Sequence, residues 1–412
     1  MEARSKKKSR WEILFLYLIP LLFWNFYNYY LIEQQVSKLC LFIMIPFLGF
    51  YLRKEIFRMR SFVSKKIALL LVSILISMIM SWLLWSQSFL LSYRASAYLF
   101  QMLFLFYLYK LNLSYNEVIK FIIIQAIVYA LLYGYAMYCA PQIIFVIDNN
   151  VDTLSDETRG IFRIVLASKG FIILLYFLFL NKYSTFKNKK YLLMALGLFV
   201  IIVLMVTRQF ILFSLMIGLF YLLKKNKYSW LAIFALFIVF NMMSIKLKDD
   251  SVLGNLYNLT EEQFNDNKKG DTNIRIIEYE YFCTEFNNNP LAILFGNGQA
   301  HDESSFGKVI LKLKDQKLFL SDVGYAYVYS VLGLLGIYIV LSLFYRVIKT
   351  KCRDDLIYPK LYLIYVAFAN IACVFFFGDM ISICVALYIF DKFSIDKKQN
   401  GRSKVFNINS SF

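Results

Sequence analysis

Five arginines, Arg94, Arg159, Arg163, Arg208 and Arg275, stand apart from the main lysine and arginine clusters of this chain, beside or between long apolar runs. A guanidinium stays charged at all relevant pH values and offers a planar fork of donors that matches phosphate oxygens two at a time. Several of them converging would clamp a phosphate or pyrophosphate. Arg208 is the most telling, because LMVTRQFILF leaves only a minimal turn between two apolar runs. The blander explanation is a side chain snorkelling to a lipid interface, and Lys169 is open to the same two readings. For taking a proton from a hydroxyl, a step worth about 10² to 10⁴ in rate, the candidates are Asp322, Glu278, His301 and Asp302. Each has a plain alternative: Asp322 as a helix N-cap, Glu278 as an i,i+3 partner of Arg275, and His301 as a solvated loop histidine.

The elements that must position these groups are membrane helices. Of the 412 residues 60% are hydrophobic and 19% aromatic, with a mean hydropathy of +0.58, against roughly 45 to 50% apolar in a soluble domain. The apolar residues come in blocks of about 20, enough for a helix to cross roughly 30 Å of hydrocarbon. The expectation is an all-α integral membrane protein, a single polytopic domain over residues 1–412 with about 12 transmembrane helices. Spans are expected near Trp11–Ile32, Leu39–Leu52, Ile67–Trp85, Ala95–Tyr109, Val118–Tyr138 and Ile164–Leu180. Six more are expected near Tyr191–Val206, Phe210–Leu223, Trp230–Ile245, Val323–Phe344, Leu361–Phe377 and Met380–Phe390. The pair flanking Asp379 also fits a hairpin that never fully crosses.

The stretches Arg4–Arg10, Arg53–Lys66, Lys182–Lys190, Lys224–Lys227, Arg346–Lys360 and the tail from Lys392, with Lys110 and Lys120, hold roughly thirty of the 45 Lys and Arg. The positive-inside rule therefore puts both termini in the cytoplasm. The net charge of +18 is that same signal, and no nucleic-acid partner is expected. The basic N-terminus runs into an apolar stretch with no small-residue cleavage site, which reads as a retained first helix. Six cysteines are scattered without C-x-x-C spacing, and the single histidine excludes a multi-histidine metal centre. No metal and no cofactor is expected.

Two segments leave the apolar pattern on the outer side, Pro141–Arg163 and a large extracytoplasmic loop at 246–321. The second far exceeds the usual connection of about 4 to 6 residues, so helices and a function are expected within it. TNIRIIEYEYFCTEF reads as an amphipathic helix starting near Asp271 or Thr272. Gly296 and Gly298 around Asn297 allow a tight backbone, either for close approach to a ligand or as an ordinary turn. Tyr279, Tyr281, Phe282, Tyr325 and Tyr327 would suit sugar faces, although belts and core packing explain most of the 31 Tyr and 41 Phe.

The order of these pieces resembles the O-antigen polymerase and ligase superfamily of bacterial envelope glycosyltransferases. VTRQF resembles that family's small-residue-plus-Arg turn between two spans. RIIEYEYFCTEFNNNPLAILFGNG resembles its loop pattern of an Arg, an aromatic helix, a Pro and a glycine-bearing turn. SDVGYAYVYSVLGLLGIYIV resembles its return helix, with Gly333 and Gly336 as a Gly-x-x-Gly pair, and TRGIFRIVLASKG resembles an earlier arginine element. The resemblance covers roughly the second half of the chain. It implies polymerisation of undecaprenyl pyrophosphate-linked oligosaccharide repeat units into O-antigen, capsule or exopolysaccharide, on the outer face of the bacterial inner membrane and without metal. It further implies Arg208, Arg275, Arg159 and Arg163 on the pyrophosphate, Asp322, Glu278 or His301 as base, and a chain-length regulator as partner. A ligase that transfers the chain to lipid A core typically carries a histidine just before the return helix. Asp322 stands there instead, which favours polymerase. A non-enzymatic flippase or transporter is the other alternative, against which stands the absence of an internal repeat.

Overall fold

A computed structural model describes residues 8–140, 142–145, 164, 166–205, 207–225 and 274–395. Arg159, Arg163, the span expected near Trp230–Ile245 and the first part of the 246–321 loop lie outside the described residues. Among those described, regular structure is all helix, with only isolated bridges joining Tyr29 to Phe145 and Cys352 to Ile395.

The first half comprises α1 (Arg10–Phe23), α2 (Gln34–Arg58), α3 (Phe62–Trp85), α4 (Phe89–Ser96), α5 (Leu103–Leu111) and α6 (Tyr115–Cys139). Then come α7 (Gly170–Phe186), α8 (Lys189–Leu204) and α9 (Arg208–Lys225). The last group is α10 (Ile274–Cys283), α11 (Pro290–Phe295), α12 (Ser305–Asp315), α13 (Gly324–Lys349), α14 (Tyr358–Ala372), α15 (Phe375–Gly378) and α16 (Met380–Ile389). Five runs, Gln35–Arg58, Phe62–Trp85, Phe89–Leu111, Tyr115–Cys139 and Gly324–Lys349, are long and apolar enough to cross a membrane. Outward-facing Leu39, Ile43, Phe47 and Phe50 on α2, and Leu334, Tyr338, Leu341 and Tyr345 on α13, recur every three or four residues. Such stripes left open on the surface need lipid as their solvent, and the chain is a multi-pass membrane protein.

The expected first span, Trp11–Ile32, ends early. Residues Asn25 to Asn28 take left-handed backbone with φ between 51° and 57°, which no run of L-residues can continue as a helix. That leaves α1 at 14 residues, about 21 Å long. At the other end of the chain, α14 has 15 residues and α16 only 10 before a π turn at Phe390–Ser394. Every residue of α16 is at most 1% exposed. A helix apolar on all sides belongs inside a bundle, and α16 sits among α5, α7 and α14.

One end of the bundle gathers cations. Lys8 pairs with Glu117 at 2.5 Å, Lys392 donates to the Leu113 carbonyl at 2.6 Å, Lys66 lies over the Tyr338 ring and Arg346 over Phe62. The opposite end carries α10 to α12, which share a small core of Phe282, Phe286, Phe306 and Leu313. Trp85, the last residue of α3, stacks on Phe306 with ring centroids 4.5 Å apart.

The Gly-Asn-Gly turn is the wedge that joins this cap to the bundle. Helix α13 breaks at Gly333, where φ is 65°. Its freed Ser330 and Val331 carbonyls accept from the Asn297 and Gly298 N–H groups at 2.8 and 3.1 Å. Both loop glycines have positive φ, and a Cβ on Gly298 would strike Ser81 and the Ser77 carbonyl, one on Gly296 the Val331 carbonyl. The close approach that this turn permits is therefore to α3 and α13.

Candidate functional site

The tight turn expected around Arg208 is present: α8 stops at Leu204 and α9 starts at Arg208, with the Thr207 carbonyl accepting from Phe210 at 2.9 Å. Arg275, near the start of α10, reaches this turn from the cap. With the Gln209 amide oxygen toward the guanidinium, it accepts from both terminal nitrogens of Arg275, at 2.5 and 2.8 Å. A single amide thus joins the two elements that carry Arg208 and Arg275.

Glu278 lies one turn along α10 from Arg275 and is 1% exposed. Its Oε1 accepts from the Phe319 N–H at 2.9 Å, while Oε2 has no partner. Burial pushes this carboxyl above the ordinary range, opposed by the Phe319 N–H; the charge of Asp322 adds to the rise and Arg275 works against it. Asp322 is exposed on the turn Leu320–Asp322. The N-cap of α13 is Val323, with no side-chain cap, so capping does not account for Asp322. The turn is fixed to α15 through the Ser321 carbonyl, which accepts from Val374 N–H at 3.1 Å.

Glu278 is within electrostatic reach of both Asp322 and Arg275, and those two also act on Cys373, between α14 and α15. Its thiol is within electrostatic reach of Arg275, Asp322, Lys169 and Asp379. Arg275, Glu278 and Asp322 therefore come together as one site, with Arg208 next to Gln209.

No protein-family model matches the chain, and no curated protein does.

His301 is elsewhere. Its N–H donates to Gln87 Oε1 at 2.9 Å and its Nδ1 accepts from the Glu303 N–H at 3.3 Å, within a turn that docks on the end of α3. Ser304 completes that dock at 2.7 Å to the same oxygen. The aromatics proposed for sugar are largely committed to packing. Tyr279, Tyr325 and Tyr327 hydroxyls donate to the Ile371 carbonyl, the Ala367 carbonyl and Gln299 Oε1 at 2.6, 2.8 and 2.7 Å, and Phe282 is core.

Sequence reasoning passed over Asp379 as a functional group. The signal was there, since it is the lone acid between Leu361 and Phe390, and an ionisable residue in an apolar stretch needs a reason. In the fold it is 2% exposed and its Oδ1 accepts from the Gly170 N–H at the start of α7, at 3.3 Å.

Proposed function

We propose that this chain is a glycosyltransferase that polymerises oligosaccharide repeat units carried on undecaprenyl pyrophosphate, at the outer face of the bacterial inner membrane. The observation that carries the reading is the convergence of Arg275 with the Arg208 turn beside two carboxylates, the buried Glu278 and the exposed Asp322. Glycosyl transfer from a pyrophosphate needs both kinds of group in one place.

In this reading a hydroxyl of the incoming repeat unit attacks the anomeric carbon of the lipid-linked chain. The bond from that carbon to the pyrophosphate oxygen breaks, and the electron pair leaves on the pyrophosphate. Arg208 and Arg275 meet the developing charge with fixed donors, the arrangement that stabilises a transition state without reorganisation. Glu278 takes the hydroxyl proton through its unpartnered Oε2. Burial raises its affinity for a proton, which makes it a stronger base than an ordinary solvated carboxylate. Asp322 orients the acceptor from the exposed side. The apolar rim of the bundle holds the polyprenyl chains in the bilayer.

Deleting the gene and sizing the surface glycolipids and lipid-linked intermediates on a gel tests this. Glycolipid with one repeat unit and no ladder of longer chains supports polymerase. Long chains accumulating on undecaprenyl pyrophosphate would make the protein a ligase, and an unchanged pattern in both pools removes the polysaccharide reading.

A further inference from the structure

Lys169 sits at a cleft of about 260 Å³, open mouth included, whose walls include Ile164, Leu166, Met205 and Phe210. It is half-buried, with its ammonium 4.8 Å from the centre of the Phe210 ring and 5.7 Å from that of Phe375. Among the described residues it has neither a hydrogen-bond acceptor nor a carboxylate within ion-pair distance; Asp379 acts on it only from farther away. Three ammonium donors with no acceptor, facing a cleft, are a site for an anion. Tyr129 lines the cleft beside it.

The lysine is set by backbone that tolerates little change. Ser168 before it has φ of 69° and is fully buried, its Oγ facing the Tyr27 hydroxyl at 3.4 Å. Gly170 after it lies against Ser382 and Tyr362 with no room for a Cβ, and gives its N–H to Asp379 Oδ1. The Oδ2 of Asp379 has no partner. A buried half-satisfied carboxylate is costly, and its evident use here is to hold the start of α7 and the charge beside it.

We propose that Lys169 binds the phosphoryl oxygens of a phosphate or pyrophosphate ester of an isoprenoid alcohol, with the first carbons of the chain against the apolar walls, and that Asp379 is the residue that positions Lys169. This rests on the glycosyl-transfer reading and adds a third cation to its two arginines. The enclosed part of the cleft admits little more than a water-sized group, so a phosphoryl oxygen enters it while the first carbons lie along its apolar rim and the sugars outside it. A phospholipid headgroup has the same phosphoryl chemistry and is the competing source.

The test is calorimetric titration of the full chain in detergent with farnesyl pyrophosphate, inorganic pyrophosphate, farnesol and dihexanoyl phosphatidylglycerol. Farnesyl pyrophosphate is expected to bind about tenfold or more tighter than each of the other three. Lys169→Met is expected to weaken it by about tenfold or more and Lys169→Arg to restore most of the loss. Asp379→Asn keeps an oxygen for the Gly170 N–H, so its melting temperature is expected to hold while binding weakens. Added to Lys169→Met it is expected to cost nothing further. Unchanged binding in Lys169→Met, or tighter binding of phosphatidylglycerol than of farnesyl pyrophosphate, overturns the proposal. Additive losses in the double variant overturn the role of Asp379. If Arg275→Ala abolishes the polysaccharide ladder while Lys169→Met binds normally, only this inference fails. An unaltered ladder on gene deletion removes the parent reading whatever the titrations return.

Discussion

Glu278 combines two demands in one carboxyl: it is buried, and one of its oxygens has no hydrogen-bond partner. Because burial raises its proton affinity in the fold, the stability it contributes is fully present below its unfolded value and is lost as pH rises through the folded value. Activity runs the other way, since a base must be unprotonated, so polymer formation in proteoliposomes should rise across that same acidic limb. Glu278→Gln should remove the limb and lower the rate by about 10² to 10⁴; a full rate with the limb intact would transfer the role to Asp322. The arginines invite a different comparison. Arg275→Ala and Arg208→Ala should each reduce polymerisation by roughly 10²-fold or more. Arg275→Lys should recover little, because an ammonium cannot reproduce the two-nitrogen contact seen with Gln209.

At the scale of elements, the decisive contact is the Gly-Asn-Gly wedge in the break of α13. Trp85 Nε1 donates to Asn297 Oδ1 at 2.9 Å, Ser81 donates to the Asn297 carbonyl at 2.7 Å, and the Asn297 amide reaches Asn287. The wedge thus fixes the cap that carries Arg275 and Glu278 to two long helices. Gly298→Ala and Gly333→Ala should each destabilise by about 1 to 3 kcal/mol, since both combine positive φ with backbone neighbours where a Cβ would go. Gly134→Ala and Gly197→Ala, in helices with open space around them, should leave stability unchanged or raise it by up to about 1 kcal/mol. Thermal unfolding in detergent separates the two pairs, and equal melting temperatures in all four would contradict the wedge.

For the whole molecule, Lys66, Arg346 and Lys392 collect at one end of the bundle, while the cap, with Lys312 and Lys314 of its own, sits at the other. With the positive-inside rule, a reporter inserted after Gln316 should be active outside the cytoplasm and one joined after Ile395 inside it. The reverse pattern would place the site where lipid-linked repeat units are built, and would exclude polymerisation at the outer face. The central position of α16, sealed on every side, makes it a scaffold against which α7 and its Lys169 are held.

Lipid as solvent, an all-helical fold, the tight turn at Arg208 and the helix from Ile274 were legible in the residues alone, because apolar block length and helical periodicity are local properties. The residue types of Arg208, Arg275, Glu278 and Asp322 nominate them for chemistry by the same local reasoning. Which of them meet was not legible in that way. Gln209 and Arg275 are joined across 66 positions of chain, Gly170 and Asp379 across 209, and such contacts depend on how the helices pack. The same holds for what dropped out. His301 and the two loop glycines have the residue types of a site, yet in the fold they dock the cap onto α3 and α13. A residue's chemistry is carried by its own side chain, whereas its employment depends on neighbours that only packing supplies.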